Sequence, residues 1–486
     1  MHGFTPDCML LSTVVPIQKG KNVNVTDSAN YRGISLSSIF AKLFDLLILQ
    51  RYSDCLCLSD QQFGFRAKRS TDMCSMVLKE SISYYVNNGS SVYCTFIDAT
   101  KAFDRVEYCK LFRQLLSRGL PPVIIRIMLN LYVGHVTRVE WNGIRSRNFS
   151  VFNGVKQGGI VSPILFCIYL DGLLQSLATS GVGCYIGTIF VGAMAYADDL
   201  VLLAPSANAM RLMLRNCDAF ANEYNIRFNA NKSKCLFCSA RRHSRCNIGA
   251  QPVFYIGGNP IEIVDHWPHL GHIISSHLDD EQDIIQRRNA MAGQINNVLN
   301  YFVGLDCFVK QKLLTTYCYS LYGSVLWDLR HLCIDSVCTT WRRGLRRVWG
   351  LPHNTHSNLL PLLSCSLPVY DELCKRFVLF AQKCLMSDSS LVSSVATYAF
   401  IYGRSDSVFG RNVSKCCLRF NVANDDFLSL NKKFMFNNYC SNLEQDTMST
   451  VNLLLELICV RDGLFIMPMF ADAAELIEII RLLCTV

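Results

Sequence analysis

Residues 193–204 read Ala-Met-Ala-Tyr-Ala-Asp-Asp-Leu-Val-Leu-Leu-Ala, which places two adjacent aspartates between two apolar arms. This pattern predicts a β-hairpin with Asp198 and Asp199 at its tip. A turn that only reverses the chain favours Asn-Gly or Asp-Gly. Neighbouring carboxylates repel each other, and one pKa rises unless a cation lies beside them. The segment therefore indicates a divalent metal site, with a plain exposed Asp-Asp turn as the alternative.

A third carboxylate follows another apolar run, because Asp98 comes directly after the β-rich residues 91–97. Asp104 lies six residues further on, but Asp104-Arg105-Val106-Glu107 has the spacing of a capping box. We therefore assign Asp98 to the metal site and Asp104 mainly to structure. Three carboxylates on neighbouring strands can hold two Mg²⁺ ions about 3.5–4 Å apart, and Mn²⁺ could replace Mg²⁺.

The apolar periodicity around these aspartates predicts an α+β core followed by a helical portion from about residue 280. Asn142-Gly143 indicates a hairpin turn, and Pro121-Pro122 separates two helices. The predicted strands are 10–17, 91–97, 136–141, 146–152, 191–197, 200–204, 235–238 and 269–274. The predicted helices are 37–49, 70–86, two within 107–133, 162–177 and 207–224.

Composition supports a globular chain that meets a polyanion. Half of the residues are hydrophobic and 17% are charged, against roughly 25% in ordinary soluble domains. Residues 1–275 contain 27 Lys and Arg against 18 Asp and Glu, whereas residues 276–486 are balanced. The positive excess thus falls in the half that contains the aspartates, as expected for a nucleic-acid groove. A solvated basic surface would give the same count.

The 24 cysteines follow no regular framework, so we expect reduced thiols in the nucleus or cytoplasm and no secretion. No membrane span and no signal peptide are expected. Cys235-x2-Cys238-x4-His243-x2-Cys246 approaches the pattern of a zinc knuckle. Its last spacing is too short and lacks glycine, and its cysteines lie in a predicted strand. We therefore expect no structural zinc.

Several segments, taken in chain order, resemble the motifs of reverse transcriptases. The three central palm motifs are matched at 96–106, 154–166 and 196–199, and flanking pieces resemble non-LTR, LINE-type retrotransposons of the jockey and chicken-repeat lineages. The resemblance is strong over about residues 5–275 and looser through 321–327 and 343–352. The flanking pieces are Asn30-Tyr31-Arg32-Gly33-Ile34-Ser35-Leu36, Gln62-Phe63-Gly64-Phe65-Arg66, Phe228-Asn229-x2-Lys232 and Leu270-Gly271.

The resemblance implies a right-hand polymerase that binds an incoming deoxynucleotide. Phe103 would be the gate that rejects a 2′-hydroxyl, with a core phenylalanine as the alternative. Gln157 and Gly158 would contact the nucleotide, where glycine lets the backbone approach closely. Lys19 and Arg32 would bind the triphosphate, which suits a point charge and a planar fork. A solvated surface cation is the alternative for each of these two.

Further roles follow from the same resemblance. Lys232 would protonate the leaving pyrophosphate as part of catalysis, and Leu270-Gly271 would form the primer grip. In the helical portion, a basic stripe beside apolar residues could follow a template–primer backbone, although a solvated helix face fits equally well. The stripe consists of Arg342, Arg343, Arg346 and Arg347.

The expected organisation is fingers and palm at 1–275 with an antiparallel sheet, a helical thumb-like region at 276–355, and a helical region of unknown role at 356–486. The predicted function is an RNA-directed DNA polymerase that acts on an RNA template, a DNA primer and dNTPs. The chain leaves no room for the endonuclease that such elements usually carry, which suggests a truncated element protein with an endonuclease supplied in trans. The alternative is an inactive remnant that binds nucleic acid, motivated also by Gly33, where the family has proline, and by Trp267-Pro268-His269 before the primer grip. The oligomeric state is not indicated.

Overall fold

The computed structural model describes residues 5–20, 24–240, 252–355, 357, 359–364, 367–435 and 437–439. The chain divides into two compact units. Unit 1 contains residues 1–267 together with Ser389–Leu391, and unit 2 contains the remainder. This division falls eight positions before the predicted boundary at residue 275, and the assignment of fingers, palm and thumb stays a prediction.

The strands lie mainly in unit 1, and hairpin β14–β15 begins at the boundary between the units. In chain order they are β1 (Leu11–Gln18), β2 (Tyr31–Ser37), β3 (Val92–Ile97), β4 (Val136–Trp141), β5 (Ile144–Arg145), β6 (Phe149–Ser150), β7 (Tyr185–Ile186), β8 (Ile189–Phe190), β9 (Ala193–Tyr196), β10 (Asp199–Ala204), β11 (Lys234–Cys238), β12 (Phe254–Ile256), β13 (Asn259–Val264), β14 (His266–His269) and β15 (His272–Ser275).

Helices occupy both units. Those of unit 1 are α1 (Ile39–Arg51), α2 (Thr71–Asn87), α3 (Tyr108–Ser117), α4 (Pro122–Val133), α5 (Ser162–Thr179) and α6 (Ala207–Glu223). Those that follow are α7 (Glu281–Tyr301), α8 (Cys307–Leu313), α9 (Ile334–Trp349), α10 (Leu359–Ser364), α11 (Val369–Leu385), α12 (Ser390–Tyr402) and α13 (Val408–Phe420). The predicted α+β core followed by a helical portion is confirmed.

Among the described residues, unit 1 contains two large sheets and the small hairpin β7–β8. A six-stranded sheet has the order β12-β13-β11-β3-β10-β9, in which only the β11–β13 pair is parallel. A five-stranded sheet has β2, β1, β4 and β5 in order, with β6 paired to β4. Residues 193–204 form β9 and β10, so the aspartate hairpin supplies the outer strand of the larger sheet and its neighbour, and β10 pairs directly with β3.

The six-stranded sheet is covered by helices on both faces. Helix α2 packs on β3 and β9, while α5 contacts β9 and α6 contacts β10. Leu200 and Leu202 join the core that includes α5 and α6. Val201 and Leu203 are equally buried, and side chains alternate between the faces of a strand. Burial on both faces explains why β10 reads as a continuous apolar run.

Helix α5 differs from the expectation that no apolar stretch is long enough to span a membrane. Among the described residues it alone is long and apolar enough by length and composition, and 61% of it is buried inside the fold. Leu165, Phe166, Leu173 and Leu174 on this helix belong to the core of unit 1. A helix in the core of a folded domain can be as long and as apolar as a membrane-spanning helix, because apolar partners surround it. The length and composition of α5 are therefore weak evidence for a membrane.

Two local predictions need correction. The strand predicted at 269–274 is a hairpin, because Leu270 and Gly271 have positive φ angles of 49° and 78° and separate β14 from β15. The strand predicted at 146–152 shrinks to Phe149–Ser150. The Asn142-Gly143 turn is confirmed, with positive φ at both residues.

Candidate active site

The three predicted aspartates lie where β3 ends and β10 begins, and we call this end of the six-stranded sheet, with Asp98, Asp198 and Asp199, the aspartate edge. Strands β3 and β10 are antiparallel and pair Ile97 with Leu200. Asp98 follows Ile97 and Asp199 precedes Leu200, so these two carboxylates occupy the next opposed positions. Asp198 lies in the two-residue turn between β9 and β10. The register therefore brings together residues that are a hundred positions apart.

The aspartates act on one another electrostatically. Desolvation and, to a smaller extent, the charges of Asp198 and Asp98 together raise the pKa of Asp199 to about 6. Burial also raises the pKa of Asp198, as does Asp98, whereas a hydrogen bond from its own backbone and the Arg32 guanidinium lower it. Like charges at this edge are thus repulsive, and a bound cation would relieve that repulsion.

The donor type suits a divalent cation. Carboxylate oxygens are hard ligands, which Mg²⁺ and Mn²⁺ prefer. Within the described ranges, however, no group of three or more His, Cys, Asp or Glu side chains is arranged to hold a metal ion as it stands. The aspartates lie at the same end of the sheet and affect one another's pKa. Their side chains would still have to move closer together to bind an ion.

The turn that carries Asp198 has an unusual backbone. Ala197, its first residue, has a positive φ of 59°, a region in which a non-glycine residue is strained by about 1–3 kcal/mol. The Gln62 side chain, fully buried, accepts a hydrogen bond from the Ala197 N–H at 2.9 Å. The strained turn is therefore held from outside the hairpin.

Asp98 is braced by a different segment. The Asn229 N–H donates to the Asp98 carbonyl at 2.9 Å, and the Asp98 N–H donates to Ser233 Oγ at 3.1 Å. Ser233 Oγ in turn donates to the Asn229 carbonyl at 2.8 Å. The turn before β11 thus fixes the backbone on both sides of Asp98.

The residues that hold the aspartate backbone have no role that the sequence predicts; they are Gln62, Gly64, Asn229 and Ser233. Gln62, Gly64 and Asn229 lie inside the flanking motifs that resemble the family, and Ser233 immediately follows one of them. That position in a motif was the available signal, but the partners lie 135 positions away for both Gln62 and Ser233. No local pattern connects such pairs.

The structure corrects the capping box at Asp104. Helix α3 begins at Tyr108, and its capping residue is Glu107, with no side-chain cap. Val155 N–H donates to the Phe103 carbonyl at 2.8 Å, and a similar bond joins residues 154 and 106, so this segment is pinned before the helix begins. The Asp104 carboxylate instead accepts from Gln157 Nε2 at 3.4 Å.

The predicted nucleotide residues lie on neighbouring segments of unit 1. The Phe103 ring stacks on Phe166 with centroids 4.6 Å apart, so it has a packing role whatever else it does. Gly158 has a φ of 108°, and a Cβ there would lie 2.8 Å from the Ser35 carbonyl oxygen. Its glycine is therefore required by contact with β2, independently of any substrate.

The predicted cations differ in their surroundings. Arg32, on β2, is exposed, and its positive charge lowers the pKa of Asp198. Lys19 is exposed, and its ammonium donates to the Ala29 carbonyl at 2.8 Å. Lys232 is exposed in the turn before β11, where its N–H donates to Asn229 Oδ1 at 3.3 Å.

The predicted primer-grip and basic-stripe residues lie in unit 2. Tyr322 Oη donates to the Leu270 carbonyl at 3.0 Å, and Arg287 donates to the Gly271 carbonyl. The four arginines of α9 separate into two pairs. Arg342 and Arg346 are partly buried and bond Ser357, and Arg346 also bonds the Thr355 carbonyl. Arg343 and Arg347 are exposed.

The knuckle-like cysteines lie on β11. Cys235 and Cys238 are both buried, and burial raises the pKa of each thiol to about 12. Buried neutral thiols behave as small apolar side chains. His243 and Cys246 lie outside the described residues.

A family comparison identifies the class of protein to which this fold and these aspartates belong. The profile described as "Reverse transcriptase (RNA-dependent DNA polymerase)" matches residues 17–260, which is half of the chain. The chain therefore belongs to the reverse transcriptase family, as its motifs predicted. The matched span contains Asp98, Asp198 and Asp199.

Its relatives are proteins of retrotransposable elements, which confirms the predicted LINE-type resemblance. The Pol polyprotein of type-2 element R2DM from Drosophila melanogaster is 28% identical over 279 residues, or 55% of this chain and 25% of that protein. The RNA-directed DNA polymerase from mobile element jockey of Drosophila funebris is 25% identical over 309 residues, or 61% of this chain and 32% of that protein. The chain thus spans about a quarter to a third of the length of these relatives.

Among solved structures, telomerase from Candida tropicalis in complex with the TWJ fragment of telomeric RNA is similar at a TM-score of 0.44 and 10% identity. That comparison covers 80% of this chain and 64% of the telomerase chain.

Proposed function

We propose that the chain is an RNA-directed DNA polymerase of a non-LTR retrotransposon, which adds dNTPs to the 3′-hydroxyl of a primer on an RNA template. The observation that carries the proposal is the aspartate edge. Asp98 and Asp199 are opposed across β3 and β10, and the charge of Asp98 raises the pKa of both hairpin carboxylates, Asp198 and Asp199. A plain exposed turn would not gather a third carboxylate from another strand.

Asp98, Asp198 and Asp199 would hold two divalent ions, because their oxygens and their repulsion suit Mg²⁺ or Mn²⁺. When bound, such ions lower the pKa of an attacking hydroxyl and stabilise charge on the leaving pyrophosphate. The protein positions these carboxylates through the β3–β10 register and the contacts of Gln62, Asn229 and Ser233.

Other side chains would bind and select the nucleotide. Arg32 projects positive charge toward the aspartate edge, where a triphosphate chelated by the ions would lie. The Phe103 ring, supported by Phe166, would limit the space beside the sugar and exclude a 2′-hydroxyl. Gln157 lies within hydrogen-bonding distance of Asp104, which would orient its amide for the nucleotide.

The test is primer extension by purified protein on an RNA template with dNTPs and Mg²⁺. We compare wild type with Asp199→Asn, and use Asp265→Asn as a matched control at an exposed carboxylate of unit 1. Both variants change the net charge equally, so nucleic-acid attraction changes equally. Extension by wild type and Asp265→Asn, with loss in Asp199→Asn, supports the proposal.

Equal extension by all three proteins, or by none, would contradict polymerase activity. A parallel binding assay identifies the alternative function. Salt-dependent binding of an RNA–DNA hybrid without extension would favour a nucleic-acid-binding remnant, because phosphate contacts do not require the metal-binding aspartates.

A further inference from the structure

Residues 61–63, which precede α2, hydrogen-bond to β9, the outer strand of the aspartate hairpin. Ala195 N–H donates to the Gln61 carbonyl at 2.9 Å, and Phe63 N–H donates to the Ala195 carbonyl at 2.8 Å. Residue 62 thus forms an isolated parallel bridge with Ala195. The backbone of residues 61–63 is therefore fixed against β9, two positions before the turn.

From this fixed backbone, the side chain of Gln62 reaches the turn itself. Its Oε1 accepts from the Ala197 N–H and from the Gly64 N–H, each at 2.9 Å. Its Nε2 lies 3.5 Å from the Ala197 carbonyl. An amide nitrogen cannot accept these two N–H groups, so the bonds define the orientation of the side chain. Gln62 thereby contacts both polar backbone groups of Ala197.

Close packing makes this contact specific. A Cβ on Gly64 would lie 2.4 Å from the Ala197 nitrogen, so only glycine lets the segment approach the turn. Gln62 is fully buried, and burial makes its hydrogen bonds costly to break. The residue that is held, Ala197, has a positive φ and immediately precedes Asp198.

We infer that Gln62 is a positioning residue that holds the Ala197 backbone and so sets the spacing of the Asp198 and Asp199 carboxylates for a divalent ion. The inference rests on the proposed function, because it assumes that these aspartates bind metal. The side-chain hydrogen bonds of Gln62 go to the backbone of Gly64 and Ala197. Its effect would pass through the turn, as outer-shell partners orient metal ligands elsewhere.

The experiment measures Mn²⁺ binding by electron paramagnetic resonance, in the absence of nucleic acid, for wild type, Gln62→Met and Gln61→Met. Gln62→Met keeps the length of the side chain but removes its amide. Gln61→Met makes the same change at the neighbouring residue, whose contact with β9 is through its backbone. We expect Gln62→Met to bind Mn²⁺ about tenfold more weakly, the lower end of the range for outer-shell partners, and Gln61→Met to match wild type.

Thermal unfolding separates positioning from stability. A purely structural role would lower the Tm of Gln62→Met and leave the Mn²⁺ affinity of the folded fraction unchanged, which would overturn the inference. If Gln62→Met does not fold, Gln62→Asn keeps the amide but shortens the side chain by one methylene, so that its oxygen no longer reaches the Ala197 N–H. Its expected Mn²⁺ affinity lies below that of wild type, and equality with wild type would overturn the inference.

The readout does not depend on polymerisation. If wild type binds Mn²⁺ but extends no primer, the proposed function fails while Gln62 is still tested by the affinities. If wild type extends primers, the Mg²⁺ concentration for half-maximal extension should also rise about tenfold in Gln62→Met. Equal Mn²⁺ affinity in both proteins, including absence of binding in both, contradicts the inference.

Discussion

Ser233 Oγ accepts a hydrogen bond from the Asp98 N–H at 3.1 Å, although the two residues lie 135 positions apart. Ser233 is fully buried, and its hydroxyl donates a second hydrogen bond to the Asn229 carbonyl. The backbone position of Asp98, a proposed metal ligand, thus depends on a hydroxyl from another segment of unit 1.

Replacing this hydroxyl should reduce both stability and activity. Ser233→Ala leaves the Asp98 N–H without its partner, and such a buried unsatisfied group costs about 1–3 kcal/mol. Urea unfolding should show that loss, and primer extension should slow. Ser239→Ala, at an exposed serine just after β11, should stay within about 0.5 kcal/mol of wild type. Equal stability of the two variants would contradict a bracing role for Ser233.

The free energy of unfolding should decrease as the pH is lowered, because of His135. Burial lowers the pKa of His135 to about 4, with a further lowering by Lys156. In the unfolded chain, His135 is protonated below its ordinary pKa of about 6.5. In the folded chain, it stays neutral until about pH 4. The unfolded state binds more protons in this window, so stability decreases as pH falls from 6.5 to 4.

The measurement is the Tm between pH 7 and pH 4.5. His135→Gln should flatten the decline, since glutamine does not titrate. His277→Gln, at an exposed histidine, should leave the slope of wild type. A slope in His135→Gln as steep as that of wild type would show that other groups cause the acid sensitivity.

Arg32 should matter for the nucleotide more than for the template. Its charge lowers the pKa of Asp198, and a charge-assisted hydrogen bond to phosphate contributes about 1.5–3 kcal/mol. Arg32→Gln should therefore raise the KM for dNTP about tenfold or more. The Kd for template–primer should hardly change. Arg147→Gln, at an exposed arginine of the same unit, is the control. An equal rise in the KM of Arg147→Gln would show that the effect comes from the net charge and not from the position of Arg32.

Phe103 can be tested separately from its packing on Phe166. Phe103→Val should lower the preference for dGTP over GTP, measured as the ratio of kcat/KM values, because space opens beside the sugar. Phe166→Leu also loses the stacked pair, which is worth about 0.5–1.5 kcal/mol, but it keeps the Phe103 ring. Discrimination that falls equally in both variants would assign Phe103 to packing alone.

The basic stripe of α9 should behave as two different pairs. Arg343 and Arg347 are exposed, and Arg347 also donates a hydrogen bond to Asn296 Oδ1 at 2.6 Å. Because both side chains are accessible to phosphates, each change to glutamine should lower the salt slope of nucleic-acid binding by about one. Arg346 bonds the Thr355 carbonyl and Ser357, so Arg346→Gln should lower the Tm instead. An unchanged salt slope for Arg343→Gln and Arg347→Gln would favour a solvated face.

Much of this protein could be predicted from local sequence. The aspartate hairpin, the strand before Asp98, the paired helices around Pro121-Pro122 and the helical portion after residue 280 follow from apolar periodicity and turn chemistry. These signals act over a few residues, so one segment is enough to show them. The motifs also identified the family, because catalytic residue types recur at fixed spacing.

Tertiary structure decided which distant groups meet. The sequence could not show that Gln62 holds Ala197, that Ser233 braces Asp98, or that the pairing of residues 103–106 with 154–155 replaces the capping box at Asp104. Hydrogen-bond partners far apart in the chain are chosen by packing, since a buried polar group must be satisfied by whatever the fold brings within about 3 Å. The sequence alone determined the aspartates and the hairpin that carries them. Only the fold brought Asp98 to that hairpin and supplied the residues that hold the three in place.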